Sequence, residues 1–575
     1  MFKVNSINTL SKPRFNVNDV IVIGIVLLAI GLLGYGWHDM HAYFNGSGIT
    51  PITLDYHALP YYTLRTTMRL LIGMVYSILF AIIFGVLAAS YVPLRRVILP
   101  FVNFMESVPL VGFLTFTTGY FLGLFPHSVM GLEAAAIFAV FTGQAWNMML
   151  TLYQTLRIVP GELNDATSVF HYNPWQRFWR LGFIYSIPGL LWNTMVSQSA
   201  AWFAILGTEA IPVTANDPVN LPGIGAYMAT ALNHGNMHAV GYAIIAIIIN
   251  ILLLDQLVFR PLVRYTRRFK YEEVPSQKKD SSWFYQAIAH SATGRLTASV
   301  CTKFSYFWLF VLPRAWYLLR INTITALLGR LNWFWTNLWY VAVVVLCVYF
   351  GHMLWDYFPK QYFTHLPNWM GLTALRVLAA MLLSIVIFTP IGVWVGLNPK
   401  LVRFFQPVIQ IMAAIPASIF YPFIALFIVM FHQSLGAWAI PMIMLGTQWY
   451  ILFNVIAGVS TLPGHMIEVS QIFHTRGILW WKKFILPAIF PYIVTGIISA
   501  AGGAWNAAIA AELLNWSGKT IAATGLGSFI ANSTANGQNP EAALGCTMMC
   551  LMVAACIIFI WQPLYRYAEN KFKIE

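Results

Sequence analysis

Residues 371–397 read GLTALRVLAAMLLSIVIFTPIGVWVGL, from Gly371 to Leu397, with Arg376 as the sole charge. As a helix rising about 1.5 Å per residue, this run is long enough to cross roughly 30 Å of hydrocarbon. A second run over 64–90 has the same character and carries Arg69, 307 positions before Arg376. These two stretches predict a membrane protein built twice.

The rest of the chain agrees. Of 575 residues, 59% are hydrophobic and 9% charged, against about a quarter charged in a soluble domain. That composition excludes a soluble enzyme. Apolar runs of spanning length lie at Val17–Trp37, 64–90, 99–122, 128–152, 188–208, 237–259, 337–353, 371–397, 405–430, 436–459, 490–511 and 541–561. They predict an all-α polytopic fold of about twelve spans, the first an uncleaved helix behind Lys3, Lys12 and Arg14. Phe304–Leu319, interrupted by Pro313 and Arg314, reads as an interfacial helix in preference to a further span.

The net charge of +14 admits nucleic acid or anionic lipid as a partner until position is considered. With both termini in the cytoplasm, 28 of the 33 Lys and Arg fall in inside segments, which sets the orientation. Short basic loops beside lipid need no nucleic acid. The five cysteines lie mostly in apolar runs without metal-ligand spacing, and no metal site is expected.

The duplication is detailed. An offset of 303 places Gly143 on Gly446, Trp146 on Trp449, Pro160-Gly161 on Pro463-Gly464, Phe170-His171 on Phe473-His474, Trp202 on Trp505 and Glu209 on Glu512. Downstream, 302 aligns Gly223-x-Gly225 with Gly525-x-Gly527. Parallel repeats about an axis along the membrane normal follow. The division is 1–60, an N-terminal segment with the first span; 61–262, the first repeat; 263–332, a cytoplasmic linker; 333–368, the seventh span with its outer loop; and 369–575, the second repeat.

Each repeat carries an amphipathic cytoplasmic segment between its fourth and fifth spans. The second contains Glu468-Val469-Ser470, His474 and Phe484-Ile485-Leu486-Pro487. This resembles the EAA loop of ABC importer permeases: Glu-Ala-Ala, three residues, Gly, nine residues, Ile-x-Leu-Pro. Glu468, Leu486 and Pro487 stand at matching positions, while His474 and His171 replace the glycine in both copies. The first copy has Asp165 for the glutamate and Ile184 for the proline. Gly371–Arg376, Arg403 to Pro407, Ala511-Glu512 and Gly525-Leu526-Gly527 look like the nitrate, sulfonate and taurine branch.

The resemblance implies a type I importer-like permease, with two halves fused, in the bacterial inner membrane. It implies coupling to two copies of an ABC ATPase subunit through Asp165, Phe170, His171, Glu468, Phe473, His474, Leu486 and Pro487. It also implies an extracytoplasmic substrate-binding protein and a small solute, with an anion or a small polar metabolite as the candidates. ATP and Mg would sit on the ATPase subunits, with no cofactor in this chain. Gly518-Lys519-Thr520 is no phosphate loop, because Leu513 stands where a glycine is required.

Polar groups inside spans mark candidate pathway positions. Glu209 and Glu512, with Trp202 and Trp505 before them, lie either at the mouth of a pathway or in structural hydrogen bonds to a neighbouring helix. Arg69 and Arg376 can offer charge to an anion, but snorkelling to the outer interface is the preferred reading. Gln144 and Gln448 lie late in the fourth and tenth spans beside Trp146 and Trp449, which read as interface anchors or core before pathway lining. The function predicted is a non-enzymatic transport subunit. A secondary transporter driven by an ion gradient is the alternative, and a membrane-embedded enzyme is disfavoured because no acid, base or metal constellation converges.

Overall fold

A computed structural model describes residues 16–40, 52–108, 110–125, 128–210, 221–269, 283–294, 356–460, 476–516 and 519–572, with isolated positions between 299 and 353 and between 462 and 474. The first half runs α1 (Val17–Met40), α2 (Leu59–Ser90), α3 (Val92–Ser107), α4 (Leu110–Leu124), α5 (Met130–Arg157), α6 (Gly161–Val169), α7 (Pro174–Arg177), α8 (Phe183–Ala210), α9 (Ile224–Asn233), α10 (Met237–Leu254), α11 (Arg260–Thr266) and α12 (Trp283–His290). The second runs α13 (Lys360–Gly396), α14 (Pro399–Ala414), α15 (Tyr421–Phe431), α16 (Leu435–Ser460), α17 (Gly477–Trp480) and α18 (Leu486–Ala511). A short antiparallel hairpin, β1 (Leu513–Trp516) and β2 (Lys519–Ala522), follows, then α19 (Leu526–Ala535), α20 (Asn539–Cys556) and α21 (Gln562–Phe572).

Seven helices among the described residues are long and apolar enough to cross a membrane, with shorter apolar helices at Val17–Leu28 and Ala417–Met430. In each half a central helix carries the packing: α5 lies against α2 and α8, and α16 against α13 and α18. Hydrocarbon on both sides removes most of the hydrophobic drive between such helices, so close approach over small residues holds them. Gly85 faces Leu152, and its counterpart Gly392 faces Val455; a Cβ on Gly392 would stand 2.6 Å from Val455 Cγ1. The same α2–α5 contact is thus made twice.

The halves embrace reciprocally. Helix α3 packs on α18 and α20 of the second half, while its counterpart α14 packs on α8 and α10 of the first. Even irregularities repeat. π-helical turns at Phe178–Gly182 and Trp481–Ile485 lead into α8 and α18, and others at Asp255–Phe259 and Ile557–Trp561 interrupt the last helices.

Two of the expected spans are corrected. Neither 99–122 nor 405–430 is one continuous helix; the first is divided between α3 and α4, the second among α14, a 3-10 turn at Ala417–Phe420 and α15. The cause is local. Val108 precedes Pro109 and Ile415 precedes Pro416, and a residue before proline is pushed out of the helical region. Both are extended, with φ/ψ of −68/127 and −76/121.

Most of the interfacial segment 304–319 and of the linker 263–332 lies outside the described residues. Trp308 and Leu309 are described, and their carbonyls accept from Trp175 Nε1 at 3.0 Å and Gln176 Nε2 at 3.3 Å. Helix α1 is fastened to the segment just after α12, where Asp19 accepts from Thr293 N at 3.1 Å.

Candidate functional site

Thr66 and Arg69 are three residues apart, hence neighbours on one face of α2. Both reach Glu209 at the end of α8. Thr66 Oγ1 donates to Glu209 Oε1 at 2.9 Å, and Arg69 Nη1 donates to the same oxygen at 2.5 Å and to the Pro222 carbonyl at 2.9 Å. The start of α9 completes the clamp, with Gly225 N donating to Glu209 Oε2 at 2.9 Å and Ile224 N to Thr66 Oγ1 at 3.1 Å. A carboxylate at a helix N-terminus meets free N–H donors and the positive dipole end.

The second half repeats the arrangement, with one backbone donor shifted by a residue. Thr373 Oγ1 donates to Glu512 at 2.9 Å, and Arg376 Nη1 donates to Glu512 at 2.7 Å and to the Thr524 carbonyl at 2.9 Å. Ser528 N donates to Glu512 at 3.2 Å and Leu526 N to Thr373 Oγ1 at 2.8 Å. Here lies the reason for the Gly-x-Gly pairs. A Cβ on Gly225 would come within 2.6 Å of the Leu206 carbonyl oxygen, and one on Gly527 within 2.7 Å of Glu512 Oε2.

The first clamp is extended by Glu133 of α5, a residue the sequence reading did not single out. It accepts from Arg69 Nε at 2.5 Å and Nη2 at 2.7 Å, and it pairs with Arg65. Arg69 is wholly buried and Arg376 is 12% exposed, so their reading as snorkelling side chains is corrected: each finds its counter-charge within the protein. Glu209 and Glu512 are both fully buried and hold three elements together, and neither lines the cavity described next. Trp202 and Trp505 are likewise buried, and their indole N–H groups have no partner among the described residues. Gln144 Nε2 donates to Gln198 Oε1 at 2.8 Å, tying α5 to α8, and Gln448 is buried in α16.

A cavity of about 1100 Å³, counting its open mouth, lies between the halves. Its walls come in repeat-equivalent pairs: Glu106 with Ala413, Val108 with Ile415, Gly143 with Gly446, Trp146 with Trp449, Asn147 with Tyr450, Ala200 with Gly503, Phe203 with Asn506. Equivalent positions on both walls place the cavity on the pseudo-two-fold axis. Trp146 and Trp449 are therefore lining residues, where the sequence favoured anchors or core. The sequence did hold a signal for Glu106, the single charge in the 99–122 run.

On the loop side, α6 ends in a Schellman motif. Tyr172 N donates to the Thr167 carbonyl at 3.1 Å and His171 N to that of Ser168 at 3.0 Å, with His171 at φ 51°. His474 stands at φ 49° in the second copy. Both histidines occupy the left-handed conformation that glycine adopts without strain. Asp165, Phe170, His171, Glu468, Phe473 and His474 are all exposed, Phe473 at 76%; Leu486 is exposed and Pro487 half-buried where α18 begins.

Comparison with known proteins identifies the architecture. The chain is 28% identical over 169 residues to the nitrate import permease protein NrtB of Leptolyngbya laminosa, covering 29% of this chain and 57% of that protein. It is 34% identical over 147 residues to the bicarbonate transport system permease protein CmpB of Synechococcus elongatus, covering 25% and 51%. Against the taurine transport system permease protein TauC of Escherichia coli it is 26% identical over 158 residues, covering 27% and 55%. The chain thus spans about half the length of the curated relatives it matches. The family model described as binding-protein-dependent transport system inner membrane component matches twice, at residues 81–264 and 388–574, which together exceed half of the chain. Those two matches begin 307 residues apart, the offset that relates Arg69 to Arg376, and this multi-pass chain belongs to the family of binding-protein-dependent transport system inner membrane components.

Proposed function

We propose that this chain is the membrane permease of an ATP-driven importer, both halves on one polypeptide, and that the axial cavity is the passage for a small polar solute. The observation that carries the reading is the cavity's position, walled by equivalent residues of both repeats. Two separate ATPase subunits would bind ATP and Mg and engage the loops around Asp165, Phe170 and His171 and around Glu468, Phe473 and His474. Exposed apolar Ile472, Phe473, Val169 and Phe170 suit a protein groove, while the acids orient the contact at its rim. A binding protein would deliver the solute from outside; the relatives are named for nitrate, bicarbonate and taurine.

The charge distribution supports cytoplasmic termini and a cytoplasmic linker. Leu486 and Pro487 carry the loop into α18, so closure of an ATPase cleft would be passed to a helix that lines the cavity. Family membership and the paired loops favour this reading over an ion-driven secondary transporter. The test is reconstitution with the ATPase and binding protein. Gly446→Trp, which fills the cavity from α16, should abolish ATP-dependent uptake while leaving ATPase association intact. Undiminished uptake would place the passage elsewhere, and uptake driven by an ion gradient without ATPase would restore the alternative.

A further inference from the structure

The cavity walls are unequal in charge. Glu106, at the end of α3, is the one charged residue among the described residues that line it; its counterpart Ala413 is neutral, and no lysine or arginine joins them. Aromatic rings stand among small residues in the remainder: Trp146, Trp449, Tyr450, Phe203 and Phe453. Trp146 is itself held by edge contacts from Phe80 at 5.3 Å and Phe101 at 6.2 Å. Tyr450 and Ser199 line the same cavity as Glu106, so the acid and the aromatic faces share one chamber.

The helix breaks do not offset this charge. At each, one helix ends and another begins, so the negative end of α3 or α14 is countered by the positive end of the element that follows. An ionised carboxylate in such a place is costly unless a cation meets it or it takes up a proton, and a cationic solute favours the ionised form. Aromatic faces attract cations as well, most strongly once water is removed. An inorganic anion would find the reverse: a like charge and electron-rich ring faces.

On the reading of the cavity as the solute passage, we propose that Glu106 and the surrounding rings form a binding site for a small organic cation, a solute with a positively charged nitrogen. The carboxylate supplies the charge and the indoles of Trp146 and Trp449 the flat apolar contact. The site lies off the axis, toward the wall that carries Glu106.

The test uses the permease with its ATPase subunits in lipid nanodiscs, titrated calorimetrically with choline chloride, N-methylpyridinium chloride and sodium nitrate, while ATP hydrolysis is followed in parallel. Saturable binding of at least one of the two cations and none of nitrate is expected. Glu106→Gln should weaken that cation at least tenfold, whereas Glu106→Asp, which keeps the charge, should restore most of the affinity. Binding of neither cation, any saturable binding of nitrate, or a loss under tenfold in a folded Glu106→Gln protein overturns the cation site. The unmodified complex alone already decides cation against anion, so a variant that fails to fold does not rescue the proposal. An ATP-hydrolysing complex that prefers nitrate removes the cation and leaves the permease reading standing; a chain that recruits no ATPase removes both.

Discussion

Glu133 and Gly436 stand at equivalent places in the two halves, and each receives an arginine: Arg69 meets a carboxylate at 2.5 Å, Arg376 only a backbone carbonyl at 3.2 Å. The first clamp therefore carries two arginines on two acids, the second one arginine on one acid. Removing one partner of a buried pair leaves an uncompensated charge, at a cost of about 3–5 kcal/mol. Glu133→Ala should lower the unfolding midpoint of the detergent-solubilised protein by a corresponding amount, whereas Gly436→Ala, 3.3 Å from Arg376 Nη2, should be nearly neutral. Equal effects would contradict this account.

The clamp acids separate shape from charge. Glu209→Gln and Glu512→Gln keep the outline and the bonds to one oxygen but turn an amide NH2 toward a backbone N–H, so folded protein should fall while uptake per inserted molecule stays near normal. The double Ala variant should lose more folded protein. Gly225→Ala and Gly527→Ala should also destabilise, by about 2 kcal/mol or more, since backbone and carboxylate occupy the space a methyl needs. Loss of uptake with Gln in well-folded protein would show that the charge itself serves transport.

At the loops, the left-handed histidines make a distinct prediction. A non-glycine residue held there costs about 1–3 kcal/mol, part of which glycine returns as extra freedom in the unfolded chain. His171→Gly and His474→Gly should leave the loops at least as well protected in hydrogen exchange, and β-branched His474→Val should loosen them. Faster exchange in both glycine variants would mean that the imidazoles contribute more than their backbone shape.

Charge reversal at the rim should weaken docking. Glu468→Lys should leave the chain inserted but reduce co-purification with the ATPase subunit, and Asp165→Lys should do so less severely. Such changes cost from a few tenths to several kcal/mol, according to burial. Unchanged co-purification and transport in the double variant would remove the docking role.

The repeat was legible because glycines, prolines and acids keep their spacing over long distances, and the clamp inherits that spacing. Arg69, Glu209 and Gly223-x-Gly225 all align with counterparts in the sequence itself. What the chain did not disclose follows from the same physics. Glu133 lies far from Arg69 in sequence and its equivalent is a glycine, so symmetry gave no hint of it. Gly143, Ala200, Gly446 and Gly503 line a cavity by being small, which leaves no chemical mark. The broken helices were masked by unbroken apolarity, because lipid asks for hydrophobic side chains whether or not the backbone turns; Val108-Pro109 and Ile415-Pro416 were the only signs.

The pairing of Glu106 with Ala413 has a consequence for subunit composition. Two identical permease chains about a true two-fold would have to place an acid at both positions or at neither. Two carboxylates across one narrow chamber repel, and one of them would have to hold a proton to coexist with the other. A single polypeptide escapes that constraint: one wall is charged, the other stays plain, and the chamber acquires a difference between its walls that a homodimer cannot have. On the reading of the chamber as the solute passage, covalent joining of the halves suits it to a solute charged at one end and bland at the other.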